Sequence, residues 1–183
     1  MRPFFVALCA VVCLSFLGCE TPWTYKPVEI TWRVKNDPSG SCCHRTMAML
    51  MGAQGRKDLG RWWYKKHWGA GDWGIDEDGK MRWNTVISDL KKAGIPVAYT
   101  NSRNSIAFLR WCIENKLGCG VGINGNHMVA LTFIDDKYVC IVDNNAIDKT
   151  YWIPLKDFQA GWKLSDYVAI APVLLPVSSP PPL

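Results

Sequence analysis

Apolar residues recur at helical spacing in three stretches of the chain. Residues 81–93 and 105–117 each place apolar side chains on one helix face, and a glycine follows each run. Helices commonly end at a glycine, because this residue tolerates the left-handed backbone conformation found there. A third run of helix formers, residues 42–51, follows a turn-like segment and stops at Gly52. The pattern therefore predicts a helix in each stretch.

Short apolar runs replace the helical spacing in the second half of the chain. Residues 127–134 and 138–143 are two such runs, and the three residues between them, 135–137, are typical of a hairpin turn. Further strands are predicted for 95–99, from 120 onward, 150–153 and 167–171, with a short helix near 155–158. A helix-rich first half and a sheet-rich second half indicate the α+β class.

The composition fits one compact domain. The chain has 183 residues, of which 49% are apolar and 12% aromatic. The net charge is +5, and the basic residues are scattered rather than gathered into a stripe, which disfavours nucleic-acid binding. Residues 58–79 are rich in tryptophan and glycine, and the pattern predicts no definite structure for them. Their tryptophans are expected to fill the core, with an aromatic wall for a substrate as the alternative.

The two ends differ from the rest of the chain. Residues 1–18 contain an apolar run too short to cross a membrane, as in a cleaved secretory signal. Phe16 to Cys19 resembles a bacterial lipobox, so Cys19 is expected to be acylated and to anchor the exported protein to the outer face of a bacterial membrane. Plain secretion is the alternative. The predicted division is signal 1–18, tethered segment 19–35, domain 36–173 and disordered proline-rich tail 174–183.

Cysteine usage leaves an odd number of thiols in the exported protein. Of eight cysteines, two lie in the signal and Cys19 carries the predicted lipid. The remaining five are Cys42, Cys43, Cys112, Cys119 and Cys140. At least one thiol is therefore unpaired, although a pairing such as Cys112 with Cys119 does not follow from spacing. Cys140 lies in an apolar strand and is expected to be buried.

Neither metal nor any other cofactor is predicted. Cys42, Cys43 and His44 are adjacent but diverge along a helix, and no second ligand pair with zinc spacing accompanies them. The acidic cluster at residues 76–79 lacks the spaced oxygens and the terminal glutamate of a calcium loop. A solvated turn is the expected structure there.

Cys42 is the candidate nucleophile. In the first turn of a helix its sulfur lies near unpaired backbone N–H groups and the positive end of the helix dipole, and both favour the thiolate. A histidine must then stabilise this anion and carry its proton. His44 points to another face of the same helix and His67 has no evident partner, which leaves His127 at the start of a predicted strand.

The predicted hairpin supplies a partner for His127. In the register that closes a three-residue loop, His127 falls opposite Asp143, and the odd-numbered residues of both strands form one apolar face. A register shifted by two residues would place Asn145 there, and an odd register would place Asn144. An acidic or amide side chain at this position could hold the imidazole ring in its orientation.

Three blocks of the sequence resemble the papain-like cysteine peptidases, most closely the group that processes bacteriocin leader peptides. The blocks are residues 40–50, 126–131 and 142–144, which read GSCCHRTMAML, NHMVAL and VDN. The resemblance implies that Cys42 is the nucleophile, that His127 is the general base and then the acid, and that Asp143 orients the imidazole. Asn36 stands where the family has the glutamine of the oxyanion hole. Cys43 is the alternative nucleophile, since relatives commonly have glycine there.

Residues and resemblance together predict an exported cysteine peptidase of papain-like α+β fold. Its N-terminal helical part, with the cysteine at a helix start, would pack on a C-terminal antiparallel sheet that carries the histidine and the aspartate. It would hydrolyse amide bonds of a peptide or protein substrate through an acyl-thioester. Two alternatives are a weakly active or inactive scaffold that binds peptides or cell-wall partners, and an amidase of cell-wall peptides.

Overall fold

The computed structural model describes residues 26–37, 41–68, 82–102 and 105–179. The predicted signal, the predicted acylation site Cys19 and the acidic cluster 76–79 lie outside these residues. Within them the protein has the predicted α+β fold, with five helices and six strands. No helix in the described part of the chain is long and apolar enough to span a bilayer.

The helices are α1 (Cys42–Ala53), α2 (Lys57–Lys66), α3 (Trp83–Lys92), α4 (Ile106–Glu114) and α5 (Leu155–Lys163). The strands are β1 (Val97–Thr100), β2 (Cys119–Ile123), β3 (His127–Ile134), β4 (Tyr138–Val142), β5 (Tyr151–Pro154) and β6 (Ala169–Pro172). All of these strands form one antiparallel sheet in the order β1, β6, β2, β3, β4, β5.

Helices cover both faces of the sheet, which explains why its central strands are apolar throughout. Helices α1, α2 and α3 share a core with Met128 and Ala130, which point to one face of β3. Helices α4 and α5 pack with Val129 and Leu131 on the opposite face. The first core brings the start of α1 beside the start of β3.

Two glycines allow α1 to approach its neighbours closely. A Cβ atom at Gly120 of β2 would lie 2.6 Å from Cε of Met47 and 2.8 Å from Sδ of Met128. A Cβ atom at Gly60 of α2 would lie 2.6 Å from the backbone oxygen of Ala48. A larger residue at Gly60 would therefore displace α2 from the α1 backbone, whereas one at Gly120 would require the flexible ends of Met47 and Met128 to move.

Helix α2 occupies part of the tryptophan-rich stretch for which the pattern predicts no definite structure. Trp63 is fully buried, whereas Trp62 and Trp68 are 45% and 55% exposed. The expectation that the tryptophans fill the core is therefore correct for Trp63 and wrong for the other two. Trp73 lies outside the described residues.

The favoured register of the β3–β4 hairpin is wrong, and the ladder nearest His127 follows the alternative shifted by two residues. The N–H of Asp135 donates to the carbonyl of Tyr138, so the loop between the strands has two residues instead of three. The ladder then shifts again between Leu131 and Phe133, where Thr132 forms a bulge. Both differences depend on local hydrogen bonds of the backbone and of single side chains, to which a pattern of alternating apolar residues is insensitive.

The chain segment before α1 contacts strand β3, and the segment after β6 contacts helix α4. The N–H of Val28 donates to the carbonyl of Thr132 at 2.8 Å. The indole N–H of Trp111 donates to the carbonyl of Ser178 at 3.1 Å, so the predicted tail contacts α4 as far as that residue. Residues 180–183 lie outside the described part of the chain.

The cysteines away from α1 are buried. Burial and the neighbouring Cys119 thiol raise the pKa of Cys112 well above its usual value. Cys112 and Cys119 lie side by side as free thiols, and Cys140 is also free and buried, as expected from its strand.

Candidate active site

Cys42 is the first residue of α1, and its side chain is only 2% exposed. Its pKa is lowered to about 5. The hydrogen bond with the neighbouring Cys43 thiol contributes most to this shift, and His127 adds a hydrogen bond and a favourable charge, while burial opposes them. The thiolate is therefore the favoured form of Cys42 at neutral pH.

His127 lies between Cys42 and a carboxylate. Its Nε2 atom is 2.8 Å from Oδ1 of Asp143. Burial alone would lower the pKa of His127, but its hydrogen bonds with Asp143 and Cys42 raise it to about 9. Burial likewise would raise the pKa of Asp143, but hydrogen bonds from His127 and the N–H of Asn145 lower it. A thiolate, an imidazolium and a carboxylate therefore stabilise one another around neutral pH.

The contact with Asp143 determines the orientation of the imidazole ring. Because Nε2 faces Asp143, Nδ1 is the nitrogen left to exchange a proton with the Cys42 sulfur. The observed register aligns His127 with Asn145, whose Nδ2 lies 3.4 Å from Nε2. Asp143 therefore reaches the ring from a diagonal position, and the structure brings together Cys42, His127 and Asp143 despite the wrong register.

Cys43 differs from Cys42 in exposure and in charge. Its side chain is fully buried, and the hydrogen bond with Cys42, together with burial, raises its pKa well above the usual value. Cys43 therefore stays protonated and can donate its S–H to the Cys42 thiolate. This arrangement favours Cys42 over Cys43 as the nucleophile.

Asn36 lies in the segment before α1, next to the residues that follow β4. Its backbone N–H donates to the carbonyl of Asn144 at 2.7 Å, and its Nδ2 donates to Oδ1 of Asn145 at 3.1 Å. An amide nitrogen carries two N–H donors, so one remains for an oxyanion near Cys42. The implied role of Asn36 would use that second donor.

Asn144 connects α1 to the sheet, a role that the sequence pattern does not reveal. Its side chain is fully buried, and Nδ2 lies 3.0 Å from the Cys42 carbonyl, 3.0 Å from Oγ1 of Thr46 and 2.9 Å from the Met128 carbonyl. Two N–H groups are shared among these three acceptors. This amide therefore holds the backbones of Cys42 and Met128 close together. A polar residue two positions after an apolar strand is the only sequence signal for it.

One group of three metal-ligating side chains lies together among the described residues. His44 of α1, His67 at the end of α2 and Asp89 of α3 place one ligand atom each within 4.8 Å of one another. Each comes from a different helix, and α2 is the helix that the sequence does not predict. The spacing of ligands along the chain therefore gave no indication of this cluster.

The fold is that of the papain-like cysteine peptidases, as the resemblance predicts. It is shared with the peptidase domain of Streptococcus ComA, a bifunctional ABC transporter involved in quorum sensing, at a TM-score of 0.51 and 15% identity over 76% of this chain and 97% of that domain. A double-glycine-motif protease from an AMS/PCAT transporter, solved with its leader peptide, is similar at a TM-score of 0.49 and 19% identity over 82% and 96% of the two chains. No protein-family model matches the sequence, and no curated protein matches it either.

The lowered pKa of Cys42 predicts how fast it reacts at each pH. Because only the thiolate is nucleophilic, alkylation by a small reagent such as iodoacetamide is expected to increase through about pH 5 and to be near its plateau at pH 7. In a His127→Ala variant the inflection is expected to move toward about 8.5, the ordinary thiol range. Mass spectrometry of the Cys42 peptide across the pH range measures both curves.

The buried Cys112 is an internal control for that measurement, because its raised pKa predicts slow alkylation across the same range. Equal rates for Cys42 and Cys112 at neutral pH would contradict the prediction. A Cys42 curve that is unchanged by His127→Ala would contradict the contribution of the imidazole.

Proposed function

We propose that this protein is a thiol peptidase that cleaves an amide bond through an acyl-thioester on Cys42. The observation that carries the proposal is the grouping of Cys42, His127 and Asp143. Nε2 of His127 is 2.8 Å from the Asp143 carboxylate, and the imidazole lies close enough to Cys42 to lower the pKa of its thiol. The peptidase domain of the Streptococcus transporter has the same fold, which supports the proposal.

The chemistry assigns each residue a step. The Cys42 thiolate attacks the carbonyl carbon, the C–S bond forms, and the carbonyl electron pair moves to oxygen. As the C–N bond breaks, the His127 imidazolium gives its Nδ1 proton to the leaving amine. Neutral His127 then takes a proton from water, which attacks the thioester and releases the acid and Cys42. Asp143 holds the ring tautomer throughout.

The oxyanion formed in both steps needs donors close to Cys42. The backbone N–H of Cys42 is one candidate, because the first N–H groups of a helix have no partner within it. The Asn36 amide is the second candidate, through the N–H that does not bond Asn145. Losing one such donor costs about 3 to 4 kcal/mol of transition-state stabilisation, so a poorly placed Asn36 would leave a slow enzyme.

We also propose that the protein is exported and lipid-anchored through Cys19. The support is the composition of residues 1–19 alone, an apolar run followed by a lipobox-like cysteine. A peptide or protein outside the membrane is then the substrate, and peptides of the cell wall offer the same amide chemistry.

The proposal is tested by trapping the acyl-thioester. The full chain is mixed with a library of unstructured peptides, quenched in acid within the first turnover, and digested for mass spectrometry. We expect an acyl adduct on Cys42 together with peptides cleaved at one kind of bond. Cleavage without an adduct on any thiol, or an adduct confined to Cys43, would refute the assignment.

A peptide-binding scaffold without turnover is the second candidate, and the 2% exposure of Cys42 favours it. A nucleophile so well covered must become accessible before a peptide carbonyl can reach its sulfur. Binding of library peptides with no cleavage, combined with slow alkylation of Cys42 at pH 7, would identify the scaffold.

A further inference from the structure

We propose that His44, His67 and Asp89 form a binding site for Zn²⁺ that ties the three N-terminal helices together. This cluster is separate from the candidate active site and does not depend on the proposed function. The sequence does not predict this cluster, because its three ligands are far apart along the chain.

The positions of the ligand atoms suit a small cation. Since all three lie within 4.8 Å of one another, a point exists no more than about 2.8 Å from each of them. Zinc bonds to imidazole nitrogen and carboxylate oxygen are about 2.0 to 2.2 Å long. Each ligand atom would therefore have to move by less than about 1 Å, together with a rotation of the two imidazole rings, to complete the coordination.

The chemistry of the ligand set favours zinc among the common divalent cations. Two imidazoles and one carboxylate are nitrogen and oxygen ligands of the kind found in three-ligand zinc sites, where a water occupies the fourth position. Imidazole disfavours Mg²⁺ and Ca²⁺, which prefer oxygen ligands throughout. His44 and His67 are buried, whereas the side chain of Asp89 is 20% exposed, so solvent can reach the site from its side.

The two imidazole rings lie in direct contact. The rings of His44 and His67 stack with centroids 3.9 Å apart and planes 7° from parallel. An imidazole nitrogen bonds a metal in the plane of its ring, so both rings would rotate out of the stack when they bind one ion.

Two of the three surrounding helices favour a cation here, whereas His44 lies in the first turn of α1, whose positive end opposes one. His67 is the C-terminal cap of α2, and Asp89 lies in the last turn of α3. The C-terminal end of a helix carries partial negative charge. The Lys92 ammonium lies 3.9 Å from the Asp89 carboxylate, but the Lys92 side chain is 75% exposed and can turn to solvent. The ring of Trp63 covers both histidines, 4.3 Å from His67 between ring centroids.

The consequence of zinc binding would be a link between α1, α2 and α3. His44 is two residues from Cys42 on the same helix, so the ion would hold the helix that carries the candidate nucleophile. A ligand that binds only the folded state raises its stability by mass action.

The test uses the full chain stripped of metal by a chelator and then titrated with ZnCl₂. We expect about one equivalent of tightly bound zinc by elemental analysis and a Tm increase of about 5 to 10 °C at a hundredfold excess over Kd. Asp89→Asn, which keeps the side-chain shape but weakens ligation, is expected to lower zinc affinity by about 100-fold or more. Asp136→Asn, an exposed aspartate of the β3–β4 turn, is the matched control and is expected to bind normally.

Zinc could also bind the thiol of the candidate active site, so the titration is repeated with Cys42→Ala. Retention of the tight equivalent in that variant supports the proposal. The proposal is overturned if Cys42→Ala loses the tight zinc equivalent or if the unmutated chain binds no zinc. It is also overturned if Asp89→Asn and Asp136→Asn bind zinc with equal affinity.

Because a misfolded variant would also lose zinc, Co²⁺ provides a second measurement on the unmutated chain. Ligand-field bands without a thiolate-to-cobalt charge-transfer band support a site of two histidines and one aspartate. A charge-transfer band from the tight site overturns the assignment.

Discussion

Replacing Cys42 by alanine is expected to lower peptide hydrolysis by about 10⁴-fold or more, because this substitution removes the only atom that forms the covalent intermediate. The residual rate would come from binding and from the oxyanion donors that remain. The measurement is kcat/KM on a peptide found by the trapping experiment. The same variant is expected to retain its fold, since the substitution removes one sulfur atom from the end of α1.

Cys43→Ala is the matched control, because it removes the neighbouring thiol of the same helix. Cys43 contributes most to the low pKa of Cys42, so this variant should react more slowly at pH 7 and recover at higher pH. Activity lost entirely in Cys43→Ala but kept in Cys42→Ala would reverse the roles of the two cysteines.

Replacing Arg45 by methionine is expected to destabilise the protein by about 3 to 5 kcal/mol, because it removes one partner of a buried ion pair. The side chains of Arg45 and Asp37 are 0% and 6% exposed, and their charged groups are in direct contact. The Arg45 guanidinium also donates to the carbonyl of Tyr64 at 3.1 Å and lies 4.1 Å from the centre of its ring. Urea unfolding followed by circular dichroism measures the change.

Arg56→Met provides the comparison for that prediction. Arg56 pairs with Asp58 at 3.0 Å, but both side chains are more than half exposed, so little change in stability is expected. Equal decreases in the free energy of unfolding of the two variants would contradict a larger contribution from the buried pair. Because Asp37 follows Asn36, the Arg45 variant is also expected to loosen the segment that carries the candidate oxyanion donor.

Most of the regular elements could be predicted from the sequence because their patterns are local. The strand at residues 127–134 has the predicted bounds, and the helices at 83–92 and 106–114 lie within the predicted stretches. The proximity of His127 and Asp143 also follows from chain order, since a short hairpin brings its two ends together in any register. The predicted helix start favours Cys42 as the nucleophile, while the sequence leaves Cys43 as the alternative.

The register itself could not be predicted, because it depends on hydrogen bonds of single side chains. The Oδ1 atom of Asp135 accepts from the backbone N–H groups of Lys137 and Tyr138 and closes the shorter loop. The Oγ1 atom of Thr132 donates to the Cys140 carbonyl at 3.2 Å beside the bulge. An apolar pattern contains no information about either contact.

The sequence does not predict helix α2, because Gly60 lies near its middle and three aromatic residues that follow obscure the helical spacing. In isolation a central glycine disfavours a helix by about 1 kcal/mol. In the folded protein the same glycine lets α2 contact the backbone of Ala48, a gain that only the tertiary structure reveals. The group formed by His44, His67 and Asp89 was hidden for the same reason, since its geometry depends on the position of α2.

The amide of Asn144 has a consequence for how activity would arise during biosynthesis. It joins the helix that carries the sulfur to the strand that carries the imidazole, and these two elements are 85 positions apart from Cys42 to His127. A nascent or partly assembled polypeptide therefore has no competent centre, however well its individual helices have formed. The proposed peptidase would therefore become active only late in folding, when α1 packs on β3 and both bind the Asn144 amide.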